Sequence, residues 1–259
     1  MIIFLRYGEV YLKSKRVKNE FLNVLKRNVK SALKEYGLRA MVKKEIGQFV
    51  LYCEKNIVDI LKHVFGISSI IVPKIVEIDE KSIADVVINE YLKNEKTFAV
   101  RTKRINKKLP CTSQEFNRVI GEIISKKGYR VDLSNPDVVI HVELKDKAYI
   151  YTKSEKGAGG LPLGVSGVAA SSIKNKKDCV ACWLMMKRGF TISSNNNTEY
   201  TRILKRWHLG QEIYLRGFDV IIDSENSMKK ILSKPKNVFY PLAGFCEKEI
   251  DELFFKIIK

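Results

Sequence analysis

The succession of apolar periods over residues 1–78 constrains this chain more than any other feature. Ile2–Arg6 reads as a short strand. Val17, Phe21, Leu22, Leu25, Val29 and Leu33 then share one face of a helix over 17–35, which Gly37 stops. Leu38–Val42 and Phe49–Cys53 read as strands, with Gly47 in the turn between them. Ile57, Ile60, Leu61, Val64 and Phe65 predict a short helix over 57–65, and Ile67–Ile78 is a last extended run. This β-α-β-β-α-β order is the ferredoxin-like one. That fold serves many functions, so it decides none by itself.

A second unit is expected over 79–164. Ile83, Val86, Val87 and Tyr91 line one side of a helix over 82–93, and Thr97–Arg104 is a strand that ends in charge. Thr112-Ser113-Gln114-Glu115 is a capping box, in which hydroxyl and carboxylate satisfy reciprocal backbone donors. The helix it opens places Phe116, Val119, Ile120, Ile123 and Ile124 on one face. Val138, Ile140, Val142 and Leu144 alternate along the next strand, and Ala148–Thr152 completes a hairpin around Lys145-Asp146-Lys147. A third unit, 165–259, offers short strands at Val165–Ala170, Phe190–Ser193, Val220–Ile222 and Val238–Tyr240. Helices are expected at 179–188, 198–215, 225–233 and 247–258. Strands alternating with helices predict a small α/β domain with a parallel sheet, following two α+β units.

Of the 259 residues, 45% are apolar and 29% charged, which is a globular and not a disordered composition. The formal net charge is +18. Self-repulsion of that size asks for a polyanion or for screening salt. Nucleic acid is the first candidate partner, an acidic membrane surface the second, and a lysine-rich genome explains the charge with no partner at all. The charge gathers in patches: +7 over residues 1–60, −1 over 61–100 and +7 over 101–130. No apolar run reaches the ~18–20 residues of a membrane span. Met1–Arg6 is too short for a signal peptide. Cys53, Cys111, Cys179, Cys182 and Cys246 are an odd number of thiols, which fits a reducing compartment better than a disulfide framework. A cytoplasmic protein with no membrane partner is the expectation.

Several segments, in order along almost the whole chain, resemble the ThiI-type tRNA 4-thiouridine synthetase family. Leu5-Arg6-Tyr7-Gly8-Glu9 with Leu12-Lys13, and Phe65-Gly66-Ile67-Ser68-Ser69, are similar to its N-terminal ferredoxin-like domain. Val100-Arg101-Thr102-Lys103-Arg104, Thr112-Ser113, Asn117-Arg118 and Val131-Asp132-Leu133-Ser134-Asn135-Pro136-Asp137 resemble the THUMP module, a tRNA-binding domain. Tyr149–Thr152, Gly157–Gly167, Trp183-Leu184-Met185-Met186-Lys187-Arg188-Gly189 and Pro241-Leu242-Ala243-Gly244-Phe245 continue the resemblance into the family's pyrophosphatase domain. It implies an N-terminal ferredoxin-like domain at 1–78, a THUMP domain at 79–164 and a PP-loop ATP-pyrophosphatase-like domain at 165–259. The implied partner is tRNA, and the family's enzymes work as dimers.

The departures carry as much weight. The family's phosphate loop reads Ser-Gly-Gly-x-Asp-Ser; here that position holds Ile173, Lys174, Asn175, Lys176, Lys177 and Asp178. A cradle of converging N–H groups needs φ values that side chains disfavour, and no glycine remains. Only fifteen residues follow Gly244, where the family continues to a sulfur-carrying cysteine. ATP binding is therefore expected to be lost, and with it the catalytic residues of a sulfurtransferase.

The candidate RNA-binding residues are Arg101, Lys103, Arg104, Lys107 and Lys108 at the end of one strand, and Arg118, Lys126, Lys127 and Arg130 on or after the next helix. They form a basic stripe able to meet phosphates and 2′-hydroxyls by shape. Lys13, Lys15 and Arg16, with Lys18, form a second patch. The bland alternative for each is a solvated surface. Cys179-Val180-Ala181-Cys182 stands at an expected helix start, where thiols can be activated, but a second C-x-x-C for zinc is missing. The competing assignment for Cys182 is a small core residue. His63, His141 and His208 share no metal-binding spacing, so no metal is expected. Gly157–Gly164 is neither a dinucleotide fingerprint nor a Walker loop and reads as an interdomain linker. The expected function is a non-catalytic tRNA-binding protein, working alone, as a homodimer or beside a complete synthetase paralogue. The rival is a tRNA sulfurtransferase using Lys174, Lys176 and Lys177 on ATP and Cys179 or Cys182 on sulfur. A THUMP methyltransferase fits less well, since no glycine-rich nucleotide fingerprint follows a strand.

Overall fold

The computed structural model describes residues 1–93, 97–208, 217–232 and 238–258. Two compact units emerge: one takes residues 3–70 together with 155–259, and the other takes 71–154.

The first unit opens with β1 (Ile2–Tyr7), a 3-10 turn at Glu9–Leu12, and α1 (Lys15–Glu35). A hairpin of β2 (Met41–Glu45) and β3 (Gln48–Tyr52), one turn of helix in α2 (Val58–Leu61), and β4 (Ile67–Ile71) follow. The strands lie in the order β4-β1-β3-β2, as the ferredoxin-like fold requires. Leu22, Leu25, Val29 and Leu33 of α1 pack on Ile3, Leu5, Phe49 and Leu51 of the sheet. The expected helix over 57–65 tightens after one turn, because His63 and Val64 donate to Ile60 and Leu61 in i→i+3 bonds. β2 starts three residues later than its sequence pattern suggests.

The extended run 67–78 divides at Pro73. Proline offers no N–H to a ladder, so β4 ends at Ile71 and the chain leaves the first sheet. The next strand, β5 (Lys74–Val76), belongs to the second unit. That unit continues with α3 (Glu80–Tyr91), β6 (Thr97–Arg104), α4 (Ser113–Ser125), β7 (Arg130–Val131), β8 (Val138–Leu144) and β9 (Ala148–Tyr151). Its sheet runs β5-β9-β8-β6-β7. β6 is parallel to both β7 and β8, while β9 is antiparallel to β8 and β5. Ile83, Val87, Phe116, Ile120 and Ile124 of the two helices close its core over Phe98, Val100, Ile140 and Val142.

β10 (Glu155–Lys156) then returns to the first sheet, with Glu155 opposite Ile70 and Lys156 opposite Ser69. The glycine stretch after it is no free linker. It lies tightly against β4 and the residue that follows is held there: Gly159 N–H donates to Ile67 at 2.7 Å. A Cβ on Gly157 would stand 2.3 Å from the Ile67 carbonyl oxygen, and one on Gly160 would stand 2.1 Å from that of Lys187. Glycine is required here by close backbone approach.

The remaining elements are β11 (Val168–Ala170), α5 (Lys176–Lys187), β12 (Thr191–Ser193), α6 (Glu199–His208), β13 (Val220–Ile222), α7 (Met228–Ile231), β14 (Val238–Phe239) and α8 (Glu247–Ile258). Their four strands form a wholly parallel sheet in the order β12-β11-β13-β14. The expected helical residues 209–215 and 233 lie outside the described residues. Phe65, Trp183 and Trp207 meet with ring centroids 5.4–5.8 Å apart, and the Asn28 amide donates to the Leu163 carbonyl at 3.0 Å. The ferredoxin-like layer and the parallel sheet are thereby packed into one unit. Among the described residues, no helix is long and apolar enough to cross a membrane.

Candidate nucleic-acid interface

β6 changes character along its length. Phe98, Ala99 and Val100 are buried, and Arg101 and Lys103 are exposed. Alternation turns Thr102 and Arg104 to the face that carries Val100. Arg101 and Lys103 stand on the other face, in register with His141 and Glu143 of β8. There His141 stacks on Tyr151 at 5.1 Å, and the Tyr151 hydroxyl donates to Glu143 Oε1 at 3.2 Å. Glu143 is buried, against the polar face its alternation suggests. Sequence reasoning missed this carboxylate; its only signal is an acid between two core positions, Val142 and Leu144.

Arg104 is tied to the loop that follows it. Its Nη1 donates to the carbonyls of Leu109 (2.9 Å) and Cys111, folding the loop 105–111 back on the strand. Asn106 fastens the same loop by donating to the Lys145 carbonyl at 3.2 Å. Lys107 and Lys108 are exposed on a loop so held. Arg104 thus serves the loop's shape, and the lysines beside it face solvent.

The capping box forms as read: Thr112 Oγ1 accepts from Glu115 N–H at 3.1 Å, and Glu115 Oε2 accepts from Thr112 N–H at 2.7 Å. Those bonds to Thr112 hold the Glu115 carboxyl below its ordinary range. Asp132 is lowered likewise by the N–H groups of Asn135 and Ser134, each 2.9 Å away. Asp137 accepts from both the N–H and the hydroxyl of Thr97. Those bonds leave the acids ionised, but over 101–130 cations outnumber acids nine to two, and the cations carry no carboxylate ion pair among the described residues. Arg118 is the exception, with Nη1 at 2.7 Å from Glu122. Lys126, Lys127 and Arg130 are exposed around the α4–β7 connection. Between α4 and the sheet lies a cavity of about 680 Å³, walled by Phe98, Val100 and Leu133 and rimmed by Arg118 and Lys126. The stripe is therefore two groups: Arg101 and Lys103 on one sheet face, and Arg118 and Lys126 on the helical side. Lys13, Lys15 and Arg16 are exposed before and at the start of α1, with Arg16 3.3 Å from Glu20.

In the first unit the segment 173–178 takes a definite form. Asn175 caps α5, which begins at Lys176, three residues earlier than expected. Asp178 Oδ2 accepts the N–H groups of Lys174 (2.9 Å) and Asn175 (3.2 Å), and Oδ1 accepts from the Ser224 hydroxyl at 2.6 Å. The chain's own carboxylate occupies the amides that face it. Lys176 pairs with Asp251 and Lys177 with Glu247, both on α8. Only Lys174 of the three lysines is exposed. Ile173 is buried, and its N–H and carbonyl are both bonded to the Asn196 side chain, at 3.1 and 2.7 Å. Asn196 thus anchors this loop, with the Thr198 hydroxyl also donating to the Ile173 carbonyl at 3.0 Å.

Cys179 and Cys182 are buried, and burial pushes both thiols up to about 12. They are the fourth and seventh residues of α5, too deep for its N-terminus to offset desolvation. At neutral pH they are thiols and not thiolates. Cys246 is exposed. His208 is buried and its Nε2 accepts the Ile192 N–H at 3.1 Å; His63 Nδ1 stands 2.9 Å from the Asp59 carbonyl. Among the described residues no group of three or more His, Cys, Asp or Glu could hold a metal ion.

Comparison with known proteins places this geometry. Residues 2–70 match the ThiI ferredoxin-like domain and residues 77–153 match the THUMP domain. A probable tRNA sulfurtransferase of Caldanaerobacter subterraneus is 37% identical over 201 residues, covering 74% of this chain and 52% of that one. One from Methanocaldococcus jannaschii is 38% identical over 206 residues, covering 73% and 54%. The chain spans about half the length of the curated relatives it matches. Among solved structures, PH1313 from Pyrococcus horikoshii superposes with a TM-score of 0.81 at 25% identity, over 99% of both chains. A 4-thiouridine synthetase solved with RNA and bound ATP gives 0.78 at 24% identity, over 99% of this chain and 84% of that one, and so shares the fold.

Proposed function

This chain carries a ThiI ferredoxin-like domain followed by a THUMP domain, and from that pairing we propose that it binds structured RNA, with tRNA as the ligand. The observation that supports this reading is the set of exposed cations Arg101, Lys103, Lys107, Lys108, Lys126, Lys127 and Arg130, in a segment, 101–130, that holds nine basic residues against two acids. Cations held on strand ends and short loops meet a phosphate array by shape, and lysines release counterions as they do so. That the two relatives are probable tRNA sulfurtransferases supports tRNA over other RNAs.

The same reading makes the parallel-sheet domain a scaffold and not an ATP site. Asp178 already fills the amides of Lys174 and Asn175, and Lys176 and Lys177 are paired with α8. An incoming triphosphate would have to displace a carboxylate and meet like charge. The sulfur route of the rival enzyme is opposed by the neutral state of Cys179 and Cys182. Thiolation of uridine would then fall to a partner, such as a complete synthetase. The deciding measurement is tRNA affinity as a function of salt, with ATP–magnesium calorimetry on the same sample. Steep salt dependence without ATP heat is the expected result; saturable ATP binding, or RNA binding indifferent to salt, would overturn it.

A further inference from the structure

We propose that the C-terminal end of α1 carries a phosphate-binding subsite, built from Lys30, Lys34 and Arg39, that takes a phosphodiester of the bound RNA strand. The inference rests on the RNA-binding reading above and adds a contact on the ferredoxin-like domain.

The site follows from how α1 stops. Gly37 adopts φ 66°, in the left-handed region, and the helix closes in a Schellman motif. Leu38 N–H donates to the Leu33 carbonyl at 2.9 Å and Gly37 N–H to the Lys34 carbonyl at 3.0 Å. This closure folds Leu38 back onto the core that holds Leu33. Leu33, Leu38 and Ala40 form the apolar wall of a cavity of about 440 Å³. Lys30 and Lys34 are one helical turn apart and border it from the same side, and Arg39 borders it from beyond the turn.

The three cations are exposed, and none has a hydrogen-bond or ion-pair partner among the described residues. Other cations of the same domain do: Arg16 pairs with Glu20, and Lys62 with Asp59 and Glu155. The carbonyls that usually draw lysine to a helix end are here bonded to Gly37 and Leu38. Three like charges around one concavity repel each other until an anion enters. The volume admits one nucleotide unit. Its phosphate would face Lys30, Lys34 and the Arg39 fork, and its sugar and base edge would lie on Leu38 and Ala40.

The test is made on the full chain. Lys30→Gln, Lys34→Gln and Arg39→Gln are combined in one variant, with Lys107→Gln/Lys108→Gln as the control, and thermal melts establish that both fold. Loss of one phosphate contact should make the salt dependence of tRNA binding shallower by about one and weaken binding severalfold at moderate salt. Lysine acetylation of the wild type should show Lys30 and Lys34 protected by tRNA. Unchanged binding in the triple variant, alongside weakened binding in the control, would sink the subsite and leave the RNA reading intact. A wild type that binds no tRNA removes both. Protection of Lys30 and Lys34 by AMP alone as full as that by tRNA would assign the site to a free nucleotide and overturn the strand assignment.

Discussion

Asp178 Oδ2 accepts the backbone N–H of Lys174 at 2.9 Å. The carboxylate that serves as the third helical residue of a capping box also faces an amide that would otherwise meet an anion from solution. Replacing it should do two things. Asp178→Ser is expected to lower stability by about 1 kcal/mol through the weakened cap, read from urea unfolding. Inorganic pyrophosphate should then raise the variant's midpoint and leave the wild type's unmoved. Equal shifts in both proteins would mean that Asp178 occupies no anion site.

The two jobs within one basic segment should separate by mutation. Arg104→Gln removes the donor that holds Leu109 and Cys111 and is expected to cost about 1–2 kcal/mol. Lys107→Gln/Lys108→Gln should leave stability unchanged and weaken tRNA binding severalfold, with a shallower salt slope. Equal stability loss in both variants would contradict the assignment.

Acid should erode the second unit through its caps. Glu115 and Asp132 have carboxyls held below their ordinary range by backbone N–H groups. A depressed folded value means stability that is present above the unfolded value and lost as pH falls through the folded one. The loss is therefore expected below the ordinary carboxylate range, with none between neutrality and that range. Glu115→Gln should flatten part of the acid limb in urea titrations; an unaltered limb would show that the cap bond adds nothing.

Thiol chemistry should discriminate by burial. Native protein treated with iodoacetamide at mildly alkaline pH is expected to label the exposed Cys246 first. Cys179 and Cys182, pushed up to about 12 by burial, should react only after unfolding. Rapid native labelling of Cys179 would revive the sulfur-relay reading.

What the sequence discloses is governed by locality. The capping box at Thr112, the strand Thr97–Arg104 and the helix Glu247–Ile258 rest on neighbours a few residues apart, and the structure has them as read. The transfer of Lys74–Val76 to another sheet depends on pairing with Ala148–Ile150, far along the chain. The same holds for Gly160, whose need for no side chain comes from Lys187. Arg104 and Lys103 look alike in sequence; only the fold of 105–111 tells an anchor from a free cation. The start of α5 was hidden because Lys176-Lys177-Asp178 lacks an apolar period, and its cap is a side-chain hydrogen bond.

The pairing of Glu155 with Ile70 makes residues 71–154 an excursion that departs from and rejoins neighbouring points on one sheet edge. Tying together the ends of so long a flexible loop would cost roughly 4 kcal/mol or more in chain entropy. A folded insert that already holds its two ends near each other removes most of that penalty. The edge strand of the host is thus expected to form late, after the guest, and to be the first pairing surrendered when the guest melts.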